Sequence, residues 1–279
     1  MPGLTLGYSP CPNDTFIFHA MTHGLLDCGG IVFRERLEDV ETLNSLAMAG
    51  LLDISKVSYH ALGVLRDKYF LLRSGGALGR GCGPLLVARS RCEPASLAGK
   101  RVAVPGRLTT AFLLLRLFDP SFGGNAIVMP FHEIMAAVSS GEADAGLIIH
   151  ESRFTYPAFG LVSVLDLGQW WERETGLPIP LGCIAAKRGS MDGGMAVRVE
   201  AIIRASVRRA FDHPDEPASY IRAHAQEMDE AVIRRHIDLY VNDFSLDLGD
   251  EGERAVTELL ARAESAGIVQ AGRLPLFAS

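Results

Sequence analysis

No apolar run in the 279-residue sequence reaches the roughly 18 to 20 residues that a bilayer-spanning helix needs, so membrane insertion is not expected. Positive charge is short as well: 27 Lys and Arg stand against 33 Asp and Glu, a formal net charge of −6. Nucleic acids and anionic membranes bind proteins through clustered cations that displace counterions, so neither is expected as a partner. Cysteine is sparse. Cys11, Cys28, Cys82, Cys92 and Cys183 are odd in number and irregularly spaced, which argues against a disulfide framework or a CxxC metal site and predicts free thiols. There is no Walker phosphate loop, no His-Glu-x-x-His pair and no carboxylate cluster at metal-ligand spacing. A bound metal is not predicted. The opening Met1-Pro2-Gly3 has neither the basic nor the apolar character of a secretory leader, and a cytoplasmic location is the expectation.

What is present is an ordinary globular composition, 48% hydrophobic and 22% charged, arranged in an internal repeat. Leu4 to Tyr8 reads as a strand, Ser9 to Asp14 as a tight loop and Thr15 to His23 as a helix stopped by Gly24. The same order returns as a strand at Lys100 to Val104, a loop at Pro105 to Thr109 and a helix at Thr110 to Phe118. A second unit also has a copy. Strand Ile31 to Arg36, helix Glu41 to Met48, Gly50 and then Asp53 opening Ile54 to Ser58 matches strand Ala126 to Met129, helix Glu133 to Val138, Gly141 and then Asp144 opening Ala145 to His150. In both copies the Gly falls three residues before the Asp, where a left-handed helix end is predicted. Helices are also predicted near Ala196 to Phe211, Pro217 to Ala225, Glu230 to Tyr240 and Glu251 to Ala266.

Two such βαβαβ-like halves predict an α/β, two-lobed, periplasmic-binding-protein-like (type II) fold with a ligand cleft between the lobes. The apolar segments Pro84 to Ala88 and Leu181 to Ala186 are expected to bracket the second lobe. Residues 1–88 plus 186–279 would then form a discontinuous first lobe and 89–185 the second. The run Gly75 to Gly83 fails as a nucleotide fingerprint, because it leads into a strand rather than opening a helix, and reads as a flexible loop beside the hinge.

Ligands of such sheets sit beyond the carboxyl ends of the strands, which directs attention to a few side chains. His150 ends an apolar strand, so its imidazole, the side chain best matched to proton abstraction at neutral pH, can enter the cleft. The alternative is a structural histidine. His60 and His132 lie near the cleft edge, whereas His224 and His236 fall on charged helices and are set aside. Thr109 and Thr110 begin a helix, where they either cap it or present hydroxyl and amide groups to a ligand. Lys56 and Ser58 share one face of their strand, either at an exposed edge or facing the ligand. Asn13 and Asn44, the latter in the first turn of its helix, are further cleft candidates. Cys11, between two prolines, reads as a packed loop residue, and Trp170-Trp171 as a cover on the second lobe rather than a lid.

The segments Ser9-Pro10-Cys11-Pro12-Asn13-Asp14-Thr15-Phe16, Lys56-Val57-Ser58, Pro105-Gly106-Arg107-Leu108-Thr109-Thr110-Ala111 and Gly146-Leu147-Ile148-Ile149-His150-Glu151 together resemble the 1,4-dihydroxy-6-naphthoate synthase family. The likeness extends over nearly the whole chain, including Tyr240-Val241-Asn242 and Leu248-Gly249. It implies a lyase acting on cyclic dehypoxanthine futalosine in the futalosine route to menaquinone, without metal or organic cofactor. It also implies His150 as proton acceptor and Lys56, Val57, Ser58, Thr110 and Ala111 as substrate-binding residues. The sister enzyme chorismate dehydratase and a non-catalytic binder of small acids are the competing readings. Oligomeric state cannot be read from the sequence.

Overall fold

The computed structural model describes residues 3–225 and 229–278. In chain order the first part runs β1 (Leu4–Tyr8), α1 (Pro12–Thr22), β2 (Phe33–Leu37), α2 (Val40–Met48), β3 (Ile54–Ser58), α3 (Tyr59–Leu65) and β4 (Tyr69–Gly79). The middle part is β5 (Leu85–Ala88), β6 (Val102–Val104), α4 (Thr110–Phe118), β7 (Ala126–Val128), α5 (Ile134–Ser140), β8 (Ala145–Ile148), α6 (Ser152–Thr155), β9 (Val162–Asp166) and α7 (Leu167–Thr175). Then follow β10 (Ile179–Lys187), α8 (Gly193–Asp212), α9 (Ala218–His224), α10 (Glu230–Tyr240), α11 (Asp243–Leu246) and α12 (Gly249–Ser265).

The strands form two five-stranded sheets of the same design. One is ordered β2-β1-β3-β10-β4 and the other β7-β6-β8-β5-β9. In each, three parallel strands are followed by one antiparallel strand inserted from the other end of the repeat: β10 against β3 and β4, and β5 against β8 and β9. The internal repeat is therefore real at the level of topology. Gly50 and Gly141 have φ of 68° and 86°, the left-handed helix ends their spacing predicts. The chain passes between sheets at 80–84 and again at 167–178. These crossings lie a few residues ahead of the limits drawn at 88 and 186, because β5 belongs wholly to the second sheet and β10 wholly to the first. At the crossing the two passages touch backbone to backbone: a Cβ on Gly83 would lie 2.2 Å from the Gly168 nitrogen.

Several elements depart from expectation for identifiable reasons. The first helix starts at Pro12 instead of Thr15, since proline at the first helical position needs no amide partner; the loop is thus only Ser9 to Cys11. The second helix, α2, starts at Val40 instead of Glu41, which places Asn44 in its second turn. The stretch Gly75 to Gly79 is strand, not loop. Its glycines let the bulged β4 run tight against its neighbours: at Gly75, with φ of 83°, a Cβ would come within 2.8 Å of Ile203 and 2.9 Å of Ile184. The Trp170-Trp171 pair lies on α7, with Trp171 wholly buried and its indole donating to the Pro178 carbonyl at 3.0 Å. Among the described residues no helix is long and apolar enough to cross a membrane, and all five cysteines are unpaired.

Candidate active site

On the first-lobe side the site is built on a buried ion pair. β3 is buried along its whole length, and its alternation turns Lys56 and Ser58 toward the cleft while Val57 enters the core on the other side. The side chains of Lys56 and Asp14 are only 6% and 2% exposed, so this charge pair depends on its internal bonds. Lys56 Nζ donates to Asp14 Oδ1 at 2.7 Å and lies 3.3 Å from the Gly75 carbonyl. Asp14 also accepts from the Ser9 amide at 3.1 Å, the Ser9 hydroxyl at 2.7 Å and Asn13 Nδ2 at 2.9 Å. The chain continues to α10, where His236 Nε2 meets Asn13 Oδ1 at 2.9 Å. Asn44 holds its neighbours rather than the ligand space: its Oδ1 accepts from the Ser58 amide at 2.9 Å, and its Nδ2 donates to Ser58 Oγ at 3.2 Å and to the second-lobe Leu108 carbonyl at 3.4 Å.

The second lobe supplies His150, Glu151 and the start of α4. His150 follows β8 and has φ of 56°, the one non-glycine positive φ among the described residues. Holding an L-residue there costs about 1–2 kcal/mol, and such strain concentrates where a side chain must be aimed. The ring stands edge-on to Phe131 at 5.1 Å and parallel to His236 at 6.1 Å. Neither ring nitrogen hydrogen-bonds to another described residue, and burial lowers its pKa below the ordinary histidine value. The imidazole is thus neutral at pH 7, a base with its lone pair available. Cys11 Sγ, a His150 ring nitrogen and a Glu151 carboxylate oxygen lie within 4.8 Å of one another; burial pushes the Cys11 thiol up, so it keeps its proton.

Thr109 caps α4, its hydroxyl accepting from the Phe112 amide at 3.3 Å. Thr110 is more committed than its sequence position implies. Its Oγ1 accepts from the Tyr59 amide at 2.8 Å and donates to the Leu181 carbonyl at 2.5 Å, joining the lobes. The amides of Thr110 and Ala111, at the first two positions of the helix, remain the groups that α4 presents to the cleft.

Two cavities meet at this point. An inner one of about 80 Å³ is lined by Asn13, Asp14, Lys56, Ser58, Thr110, Ala111 and His150, among others. An outer one of about 570 Å³ reaches Cys11, Asp39, Glu41, His132 and Glu151, and His150 lines both. Of the residues singled out in the sequence, Val57 and Asn44 line neither. His60 is buried with its pKa pushed down to about 4, chiefly by desolvation, and His132 stays at the outer rim. Sequence reasoning missed His236, which is fully buried beside the site. A signal existed: Ile233, His236 and Tyr240 are the buried residues of α10 and repeat at helical spacing on one face, so the histidine sits on the apolar stripe of an otherwise charged helix.

The family profile for menaquinone biosynthesis matches residues 4–265. A 1,4-dihydroxy-6-naphthoate synthase of Thermus thermophilus is 52% identical over 277 residues, covering 99% of this chain and 100% of the relative. One of Streptomyces coelicolor is 49% identical over 272 residues, covering 96% and 95%. An X-ray structure of an Archaeoglobus fulgidus protein superposes with a TM-score of 0.89 at 37% identity, covering 96% of this chain and 98% of that one. The alkanesulfonate-binding protein of Xanthomonas axonopodis, at 14% identity, a TM-score of 0.68 and coverage of 96% and 94%, shares the two-lobed periplasmic-binding-protein fold. With near-complete matches to two synthases about half identical to it, the chain belongs to the menaquinone-biosynthesis enzyme family, among the 1,4-dihydroxy-6-naphthoate synthases.

Proposed function

We propose that this protein cleaves cyclic dehypoxanthine futalosine, releasing 1,4-dihydroxy-6-naphthoate and a sugar-derived fragment, with His150 as the general base. The observation that carries the reading is the placement of His150: a neutral imidazole in a strained backbone conformation, with no hydrogen-bond partner among the described residues, at the junction of two cavities. The relatives' names supply the product, 1,4-dihydroxy-6-naphthoate, and both are synthases rather than dehydratases.

In this reading His150 removes a proton from substrate carbon, which starts elimination and aromatisation. Lys56 keeps one N–H beyond its bonds to Asp14 and Gly75, and the Ser58 hydroxyl, already accepting from Asn44, has its own hydrogen to donate. With the Thr110 and Ala111 amides these form a set of donors suited to carboxylate or hydroxyl oxygens. Because the Thr110 hydroxyl is engaged by Tyr59 and Leu181, its backbone amide is the part assigned to the ligand. Closure of the lobes excludes water and fixes the donors before the reaction.

The test is direct. Purified protein is incubated with cyclic dehypoxanthine futalosine and, in parallel, with chorismate, and product is followed by absorbance and mass spectrometry. Naphthoate from the first alone is expected, and release of dehydrated chorismate instead would overturn the assignment. The His150→Asn protein should fold as wild type and form product at least about 10²-fold more slowly. Near wild-type turnover would remove His150 from the role.

A further inference from the structure

Two buried polar atoms face each other across the cleft without a hydrogen-bond partner among the described residues: Glu151 Oε2 and His236 Nδ1, 3.7 Å apart. They come from different lobes, Glu151 from the segment after β8 and His236 from α10. The far side of the His236 ring fixes where its hydrogen lies. Asp14 Oδ1 accepts from Lys56 Nζ at 2.7 Å and from Asn13 Nδ2 at 2.9 Å, which turns the Asn13 amide oxygen toward His236 Nε2 at 2.9 Å. An amide oxygen only accepts, so Nε2 carries the hydrogen. Burial, with His150 and Lys56 close by, holds this imidazole well below its ordinary pKa and so keeps it neutral. Nδ1 is then a bare acceptor. Opposite it stands a carboxylate oxygen, and two buried acceptors facing each other leave both unsatisfied. One proton placed between them satisfies both.

We propose that Glu151 and His236 share a proton across the closed cleft, and that Glu151 is the proton donor that complements His150. The inference rests on the lyase reading above. During elimination His150 takes a proton from carbon, and the C–H electron pair forms the new double bond. The bond to the departing atom breaks with its electron pair, which takes the shared proton from Glu151. His150 is left protonated and Glu151 ionised. Their donor atoms lie within 4.8 Å of each other, so passing one proton from imidazolium to carboxylate resets both with no net gain or loss. Glu151 lines the outer cavity together with His150, so its carboxyl group borders the space proposed for substrate; His236 lines neither cavity and is a positioning residue acting through Glu151. The other titratable groups around the pair are Cys11 and Tyr240, both kept protonated by burial, with His150 alongside and Lys56 and Asp14 beyond Asn13.

Glu151→Gln offers Nδ1 an amide hydrogen that cannot be released, and His236→Gln keeps an N–H toward Asn13 while removing Nδ1. In urea unfolding without ligand, the wild-type folding constant relative to that of Glu151→Gln is expected to fall as pH rises from about 5 to about 8, by at most about tenfold per unit, because a proton held only in the folded state favours folding at low pH. A ratio independent of pH overturns the shared proton. With substrate, Glu151→Gln should lower kcat about 10²-fold or more at a nearly unchanged KM, and unchanged kcat overturns the donor role. His236→Gln should move the alkaline limb of kcat to lower pH, since Glu151 then lacks the acceptor that holds its proton; an unmoved limb overturns the positioning role. If wild type forms no naphthoate, the lyase reading falls, and the pH dependence of stability still decides the shared proton.

Discussion

Replacing Lys56 by Met removes one half of a buried charge pair while keeping a stem of similar length. In the wild type the ammonium serves Asp14 at 2.7 Å and Gly75 at 3.3 Å, and its stem runs past Gly182, where an added Cβ would come within 3.0 Å of Lys56 Cε. Breaking a buried pair from one side costs about 3–5 kcal/mol, because the remaining charge keeps its desolvation penalty and loses its compensation. Asp14 would retain three donors, from the Ser9 amide, the Ser9 hydroxyl and Asn13. These satisfy its hydrogen bonds but not its charge, which places the loss near the lower end, about 3 kcal/mol, or more than roughly a hundredfold in the folding constant. If the unpaired charge is the cause, removing it should help. The double variant Asp14→Asn with Lys56→Met is therefore expected to recover about 1–2 kcal/mol relative to the single one. Urea unfolding followed by far-ultraviolet circular dichroism at neutral pH measures both. A Lys56→Met protein within about 1 kcal/mol of wild type, or a double variant no more stable than the single, would refute the reasoning.

Gly83→Ala drives a Cβ to 2.2 Å from the Gly168 nitrogen and 2.3 Å from its Cα, backbone that cannot rotate away, and should lower stability by about 3 kcal/mol or more. An unchanged thermal midpoint would show that the passages between sheets can separate freely. Thr110→Val deprives the buried Tyr59 amide of its acceptor and should cost about 1–3 kcal/mol, read by chemical unfolding; a loss below about 0.5 kcal/mol would show that the bridge between lobes carries no stability. Since burial lowers the His150 pKa, the base is protonated and inactive only at acid pH, so kcat/KM should fall as pH drops below about 6.5 and hold level through neutrality. An acid limb centred above about pH 7.5 would contradict a neutral, desolvated His150.

The parallel halves of both sheets were legible because their signals are local. Gly50 and Gly141 adopt the left-handed helix ends their spacing implies, and α4 and α10 begin and end at the expected residues. β4 was hidden because its glycine run mimics a loop, and only the packing of α8 and β10 against it explains why a side chain is excluded there. The site divided along the same line. Ser58 ends β3, His150 follows β8 and Lys56 shares the Ser58 face of its strand, so topology and alternation point to the cleft, and all three line the inner cavity. His236 is 223 residues from its partner Asn13, a separation over which no sequence spacing speaks. Asn44, expected as a cleft residue, lines neither cavity: its four side-chain hydrogen bonds, to Glu41, Ser58 twice and Leu108, occupy it instead.

A fold that holds ligands needs only donors, and in the proposed reading the first lobe offers them through Lys56 and Ser58, which line the inner cavity. A base needs more: an imidazole that is neutral at working pH and has no competing partner. Burial provides the neutrality of His150, and its strained backbone, held at about 1–2 kcal/mol above a relaxed one, aims the ring at the cleft rather than into the second-lobe core. The neutrality draws on the opposite lobe, because Lys56 lowers the His150 pKa and the His236 ring lies parallel to it at 6.1 Å. Were the lobes to part, water would reach the ring, the desolvation that keeps it neutral would weaken, and the histidine would return toward ordinary titration near pH 6.5. With His150 as the proposed base, closure would change the chemistry of that base as well as the shape of the site, and a clamp for small acids could act as an enzyme without altering its architecture.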